Sequence, residues 1–436
     1  MENFLELYGK CNKDCKVYNT VVEQDAISQI IKILDDKCFE NVPVRIMPDV
    51  HAGNGIVIGF TAPLTNMVNP SHVGVDIGCS VTLCITNRAI SQSDIPLIEH
   101  RIKKEIPMGM DVNKSKVFEI KEFIRFINSE YDKALSSWPE MINNVNISED
   151  YISKMLKRIH MDEGLFYKSL GTLGGGNHFI EIGNLHGNYT FAIHCGSRNF
   201  GLKVCKFWEN IANQPSFDKK LFKEKVNELK NNIEDKTLLP SKIEEIRDIM
   251  LSESTPNGYL TGVDMSDYIS DMVIAQAYAK YNHLLISRKI EDIIYKINGA
   301  KIIDSIRTVH NYIDMNDHII RKGAIRSYEN ERMLVPFNMR DGIAICIGKS
   351  NNDCNNSCSH GSVRKMSRSE AKRVLSLEDF KQTMKDIYST SVNFSTIDES
   401  PMAYKNTEDI INLLRDTCDI IEFVKPIISI KASSGV

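Results

Sequence analysis

Strand-type and helix-type segments alternate through the whole chain with no Pro-, Gly- or Ser-rich linker between them, and this constrains the fold more than any other feature. Val42–Met47 runs through Pro48-Asp49-Val50-His51 into the glycine-punctuated stretch Ala52–Gly59. Val73–Leu83 again sets β-branched residues among small ones, a pattern that suits buried strands with close backbone approach. The first ~90 residues are therefore expected to be strand-rich. Residues from about 95 to 165 are polar and helix-prone, as are about 217 to 252, where apolar residues recur at helical spacing among many charges. A third helix is predicted at Tyr268–Ile297, where Ile269, Met272, Val273, Gln276 and Ala277 recur at three- and four-residue steps. Strands return at His178–Ile182, Tyr189–His194 and Gly342–Ile347. Without a linker or a repeat, the 436 residues read as one large α+β domain, 1–436, with a β-rich core, flanking helices and helical insertions near 95–165 and 217–298.

The chain is 42% hydrophobic, enough for a large core. No apolar run reaches the about 18 residues that cross a bilayer. The N-terminal MENFLELYGKCNKDCK carries charges where a signal peptide needs an apolar stretch, so a cytoplasmic protein without membrane association is expected. In a reducing compartment the 11 cysteines are expected to be buried thiols or metal ligands, not disulfides. Cys84, Cys205, Cys346 and Cys418 are expected core thiols; Cys11/Cys15 and Cys354/Cys358 have the spacing of half a zinc site, but neither has a second half. The net charge, 53 − 57 = −4, argues against nucleic-acid binding by bulk charge. Between Ile320 and Arg373, however, eleven basic residues face five acidic ones, 11 − 5 = +6, which leaves −10 elsewhere and fits a local phosphate-binding cleft.

The histidines carry the strongest chemical signal. His178, His194, His310 and His360 each sit at an expected strand end, three of them beside glycines, where a fixed strand can present a side chain to a cleft. Asp76 and Cys79 add a carboxylate and a thiol, and the mixed O/N/S set suits zinc, iron or manganese better than magnesium. One buried His or Cys is ordinarily a core residue, so the weight rests on the group. His72, His100, His160, His186, His283 and His318 are expected at the surface or in local hydrogen bonds. The glycine run Gly171–Gly176 could cradle a phosphate, although it matches neither the P-loop nor the dinucleotide fingerprint and a tight turn explains it equally.

These segments together resemble the RtcB family of RNA-splicing ligases nearly end to end. The resemblance is carried by Met47–His51, Val73–Cys79 (VGVDIGC), Gly171–Glu181 (GTLGGGNHFIE), His194–Gly201 (HCGSRNFG), His310-Asn311, Arg321–Ala324, Ser357–Arg368 (SCSHGSVRKMSR) and Asp398–Lys405 (DESPMAYK). It implies a GTP- and Mn2+-dependent ligase that joins RNA 3′-phosphate or 2′,3′-cyclic phosphate ends to 5′-hydroxyl ends through a guanylylated histidine. Tracing the motifs, Asp76, Cys79, His178, His194 and His310 are the implied ligands of two Mn2+ ions, with Cys79 bridging, and His360 is the implied catalytic nucleophile. Asn177, His178, Phe179, Ile180, Glu181, His310, Asn311, Pro336, Asn338, His360, Gly361, Ser362, Val363 and Lys431 are the implied nucleotide contacts. Arg198, Lys322, Arg364 and Arg368 are expected to hold RNA phosphates. The implied partners are RNA ends, tRNA halves or damaged RNA, with an activating protein as a further candidate.

The chain departs from the family where the guanosine would sit. The usual PGSMG loop reads Pro336-Phe337-Asn338-Met339-Arg340, a serine a few residues on is Ile343, and HGAGR after the nucleophile reads His360–Arg364, HGSVR. Phe337 either narrows the pocket or stacks on a base. Two other readings stay open: a metal-dependent phosphoesterase that opens cyclic phosphates without GTP, and a non-catalytic protein that binds RNA ends.

Overall fold

Two β-sheets meet at one residue, His310. The computed structural model describes residues 4–214, 219–233, 235–252, 258–362 and 364–432. Its seven-stranded sheet has the order Ile302–Val309, Ser80–Thr86, Asn188–Cys195, Phe179–Leu185, Cys418–Ile430, Ile343–Gly348, Arg332–Pro336, all neighbours antiparallel. The six-stranded sheet has the order Leu5–Glu6, Cys15–Val17, Val44–His51, Ile58–Pro63, Ile319–Lys322, Asn311–Ile313. Only Cys15–Val17 and Val44–His51 run parallel in it. Ile302–Val309 of the first sheet passes through His310 directly into Asn311–Ile313 of the second.

The helix Gly262–Asn298 is the spine of this α+β fold. It is buried along most of its length from Met265 to Ile294, while Val263, Arg288 and Tyr295 are exposed. Its first half packs Met272, Tyr278 and Tyr281 into one core cluster, and its second half packs Ile286, Ile290 and Ile293 against Ile180, Ile182 and Ile193 of the sheet. The chain leaves it at Gly299, whose φ of 73° is the left-handed stop that glycine adopts without strain. Further helices cover Ile95–Glu105, Ile120–Ser137, Glu149–Arg158 and Glu163–Lys168, and the 217–252 stretch forms two, Lys219–Asn232 and Leu239–Ser252. No helix among the described residues is long and apolar enough to cross a membrane.

Two expectations need correction. Val73–Cys79 is a loop, and the ladder begins only at Ser80, because Gly74 and Gly78 take φ of 98° and 72° and break the extended backbone. The strand-rich N-terminal region contains a helix, Gln24–Leu34, whose Ala26, Ile30, Ile33 and Leu34 face the core at helical spacing. His72 and His283, expected at the surface or in local hydrogen bonds, are buried and hydrogen-bonded: His72 accepts from the Asn69 N–H at 3.4 Å and packs on Phe39, and His283 on the spine helix bonds Ser80 Oγ, Thr82 Oγ1 and the Cys195 carbonyl. Burial pushes both imidazoles down to about 3, so each acts as a neutral packing group. Cys354 and Cys358 lie in separate clusters, with the Cys358 Sγ 3.8 Å from that of Cys418. All eleven thiols are free, and Cys84, Cys205, Cys346 and Cys418 are buried as expected.

Candidate active site

The pairing register of the larger sheet assembles the donors. Cys79 immediately precedes Ser80–Thr86, His178 precedes Phe179–Leu185, and His310 follows Ile302–Val309. Within the ladders Val309 pairs with Ser80, Ser80 with Cys195, and both Val81 and Phe179 with His194. A one-residue slip of any strand would turn its donor to the opposite face. The His310 backbone N–H also donates to the Cys79 carbonyl at 3.0 Å, closing the corner between the sheets.

The five donor atoms form a chain of close contacts. His178 Nε2 lies 2.9 Å from Asp76 Oδ2 and 3.6 Å from Cys79 Sγ; His194 Nε2 lies 3.3 Å from Cys79 Sγ and 3.3 Å from His310 Nε2. Cys79, His178 and His194 converge tightly enough to hold one ion. These separations fit a metal, since ligand bonds of about 2.1 Å give a tetrahedral edge of about 3.4 Å. Two glycines permit the approach: a Cβ on Gly196 would run into the Asp76 carboxylate, and one on Gly174 into the His178 ring.

Burial and neighbouring charges set the protonation of each donor. Burial drives His194 and His310 well down, leaving neutral imidazoles fit to ligate. Burial also opposes charge on His178, yet Cys195 and the Asp76 hydrogen bond prevail and raise it to about 9. Asp76 is likewise held below its ordinary value by the His178 bond despite its burial, and its Oδ1 accepts from the Ser197 N–H at 3.1 Å. The Cys79 thiol is pushed up by burial and by Asp76, so its ionisation requires a strong local positive charge.

His360 stands at the rim of this group, its ring centroid 4.9 Å from that of His310. Fully buried Asp49 fixes it: Asp49 Oδ2 accepts from the His360 backbone N–H at 3.0 Å and contacts Nδ1 at 2.6 Å. That contact holds a proton on Nδ1 and leaves the Nε2 lone pair free, as a nucleophilic imidazole requires.

A cavity of about 480 Å³ opens beside His360. Asn177, Phe179, Glu181, His194, Pro336, Asn338, His360, Gly361, Ser362, Arg364, Arg368 and Lys431 line it, together with His51, Glu399 and Tyr404. Burial raises Glu181 to about 7, partly offset by Lys431. Glu399 organises the cationic wall: it takes Lys431 Nζ at 2.7 Å, an Arg368 guanidinium bond, and Arg364 at 3.4 Å.

Some expected contacts are placed elsewhere. The Ile180 side chain faces the core, because it alternates with Phe179 and Glu181 along its strand. Asn311 bonds the backbone of Asp76 and Gly323, and the Asn338 side chain caps its own turn through Arg340 N–H, Asp341 N–H and Asp341 Oδ2. Lys322 is buried, with Nζ on the carbonyls of Asn54 and Ser71. Arg198 bonds Thr172 Oγ1 and the Gly109 carbonyl next to His178. Val363 lies outside the described residues. Phe337 is buried and packs against Phe423, with ring centroids 6.1 Å apart, while its edge borders the cavity. The +6 segment is not a free basic surface: Arg321 pairs with Asp317, Arg326 with Glu331, Arg332 with Asp304 and Arg340 with Asp341.

Asp49, His51 and Glu399 had no assigned role in the sequence reading. They stand in the Met47–His51 and Asp398–Lys405 motifs, and a buried carboxylate in a motif without an obvious partner was the available signal.

Fold and donor set together define an α+β protein with a candidate transition-metal centre next to an aspartate-held histidine. The family profile described as "tRNA-splicing ligase RtcB" matches residues 37–432, and the chain belongs to the RtcB family. It is 26% identical to the RNA-splicing ligase RtcB of Escherichia coli (strain K12), over 94% of this chain and 95% of that protein. It is also 26% identical to the tRNA-splicing ligase RtcB of Archaeoglobus fulgidus, over 90% of this chain and 88% of that protein. The tRNA-splicing ligase RtcB of Nanoarchaeum equitans is 22% identical over 97% of this chain and 96% of that protein.

Proposed function

We propose that this RtcB-family protein is an RNA ligase that uses GTP and two Mn2+ ions to join a 3′-phosphate or 2′,3′-cyclic phosphate end to a 5′-hydroxyl end, in RNA repair or tRNA splicing. The observation that carries the reading is the Asp49–His360 contact at the edge of the Asp76/Cys79/His178/His194/His310 group. Those five side chains are the proposed metal ligands. The bound ions supply neutralisation of charge on the transferring phosphate.

His360 Nε2 attacks the α-phosphorus of GTP, the bond to pyrophosphate breaks, and a phosphoramidate to GMP forms. Asp49 keeps Nδ1 protonated, and its negative charge stabilises the positive charge that develops on the ring. An oxygen of the RNA 3′-phosphate then displaces His360, so that the RNA carries GMP as a leaving group. The 5′-hydroxyl attacks that 3′-phosphorus, the phosphodiester forms, and GMP departs. A cyclic end needs prior opening by water. Arg364, Arg368 and Lys431 are the proposed phosphate contacts, which their position at the cavity wall beside Glu399 supports. Asn177, Glu181, Pro336, Gly361 and Ser362 are the proposed nucleotide contacts.

The test is end joining of a 3′-phosphate/5′-hydroxyl RNA pair by purified protein, with GTP and Mn2+ each omitted in turn. Joining that requires both supports the reading. Opening of cyclic phosphates with no need for GTP refutes it in favour of a phosphoesterase.

A further inference from the structure

A second cavity, about 300 Å³, lies on the far side of the Cys79 loop between Ile120–Ser137, the spine helix and the Ile302–Val309 strand. Its wall is cationic and, with one exception, its cations are paired with carboxylates of the protein. Lys133 and Lys280 both bond Glu130 at 2.6 Å, Arg326 bonds Glu331 and Asp314, and Arg332 bonds Asp304. The exception is Arg307, for which no carboxylate partner is found among the described residues. Its Nε is buried without an acceptor, and its Nη2 reaches only the Gly78 carbonyl at 3.5 Å. Gln276, from the spine helix, lines the same cavity and also has a buried amide nitrogen without an acceptor. The wall therefore holds five cations, three carboxylates and two orphaned donors. Buried donors without acceptors are costly and rare; both orphaned nitrogens are shielded from solvent, but the guanidinium that lines the cavity has no carboxylate partner among the described residues, which favours an anionic occupant.

We propose that this cavity binds a phosphate group, through the Arg307 guanidinium and the Gln276 amide. A guanidinium offers paired donors to oxyanions, and desolvation strengthens the bond. The site reaches the metal loop from behind, since Arg307 contacts the Gly78 carbonyl and the Gln276 backbone packs against Gly78. The phosphate is either a free inorganic ion or one carried on an RNA strand, and the same chemistry serves both.

The test is calorimetric titration of inorganic phosphate into the full-length protein, in an R368Q background that weakens the cationic wall of the first cavity. Adding R307Q is expected to weaken binding about tenfold or more, the loss of one charge-assisted bond. Equal affinity with and without R307Q, or no binding at millimolar phosphate before that change, overturns the proposal. Should R307Q fail to fold, Q276E decides: a carboxylate in the cavity is expected to abolish phosphate binding and raise the melting temperature, and undiminished binding overturns the site. A short RNA without terminal phosphates separates the sources. Weakening by R307Q there places the phosphate on a strand; an effect confined to inorganic phosphate makes it a free ion.

Discussion

Replacing Asp49 by Asn keeps the shape of a fully buried side chain and removes its charge. Asp49 Oδ2 takes both the His360 backbone N–H and the Nδ1 proton, so the exchange strikes the group that sets the tautomer. An amide nitrogen in the Oδ2 position would face the His360 backbone N–H donor to donor, so the Asn keeps its oxygen there and holds the Nδ1 proton only as a neutral acceptor, which weakens both the tautomer and the support for charge on the ring. Losing a charge-assisted hydrogen bond costs about 1.5–3 kcal/mol, or about 10- to 150-fold in the rate of nucleophilic attack. The assay is single-turnover formation of protein-bound GMP from labelled GTP at saturating Mn2+, with melting temperature as the folding control. Nitrogen-15 NMR of the His360 ring reads the tautomer directly. A D49N protein that acquires label at the wild-type rate, with Nδ1 still protonated, refutes the role given to Asp49.

Glu399 links the site to acid stability. Burial alone would raise its pKa, but Lys431 and Arg368 hold it at about 2. A depressed carboxylate contributes stability that is present above its unfolded value of about 4.3 and is lost as pH falls toward about 2, roughly 3 kcal/mol in all. E399Q should flatten that acid limb in denaturant titrations, and an unchanged limb contradicts the network. Metal titration near neutral pH should release protons from Cys79, whose thiol burial holds protonated, and from His178, raised to about 9; C79A should remove the thiol's share of the release measured with a pH indicator, and an undiminished release contradicts Cys79 as a ligand. G196A should cost at least tenfold in metal affinity by displacing the Asp76 carboxylate, as read by equilibrium dialysis. Phe337→Ala should destabilise the fold by about 3 kcal/mol in urea unfolding, because Phe337 packs with Phe423 and the core.

The strand-end histidines were legible because a fixed strand end beside a glycine is a local pattern, and the register that brings His194 opposite Val81 and Phe179 then follows from alternation. The spine helix was legible for the same reason, since its apolar periodicity is continuous. The Val73–Cys79 loop was misread as strand because its side chains look like a strand, while its conformation is set by two left-handed glycines. Asp49 was invisible as a partner of His360 because 311 residues separate them, and only the packing of the Ser357–Ser359 strand against Val44–His51 closes that distance. The +6 segment misled for the opposite reason: formal charge counts residues, whereas Asp304 and Asp317, outside the segment, neutralise Arg332 and Arg321 within the fold. Lys322 shows the same limit, since nothing local to it reveals the Asn54 and Ser71 carbonyls that take its ammonium.

If His360 is the nucleophile that accepts a nucleotide beside the metal group, protein incubated with GTP and Mn2+ will carry GMP on that residue. Mass spectrometry of its peptides is expected to find a GMP adduct on His360 that is acid-labile and base-stable, and absent from H360A. No adduct, or one that persists in H360A, contradicts that role.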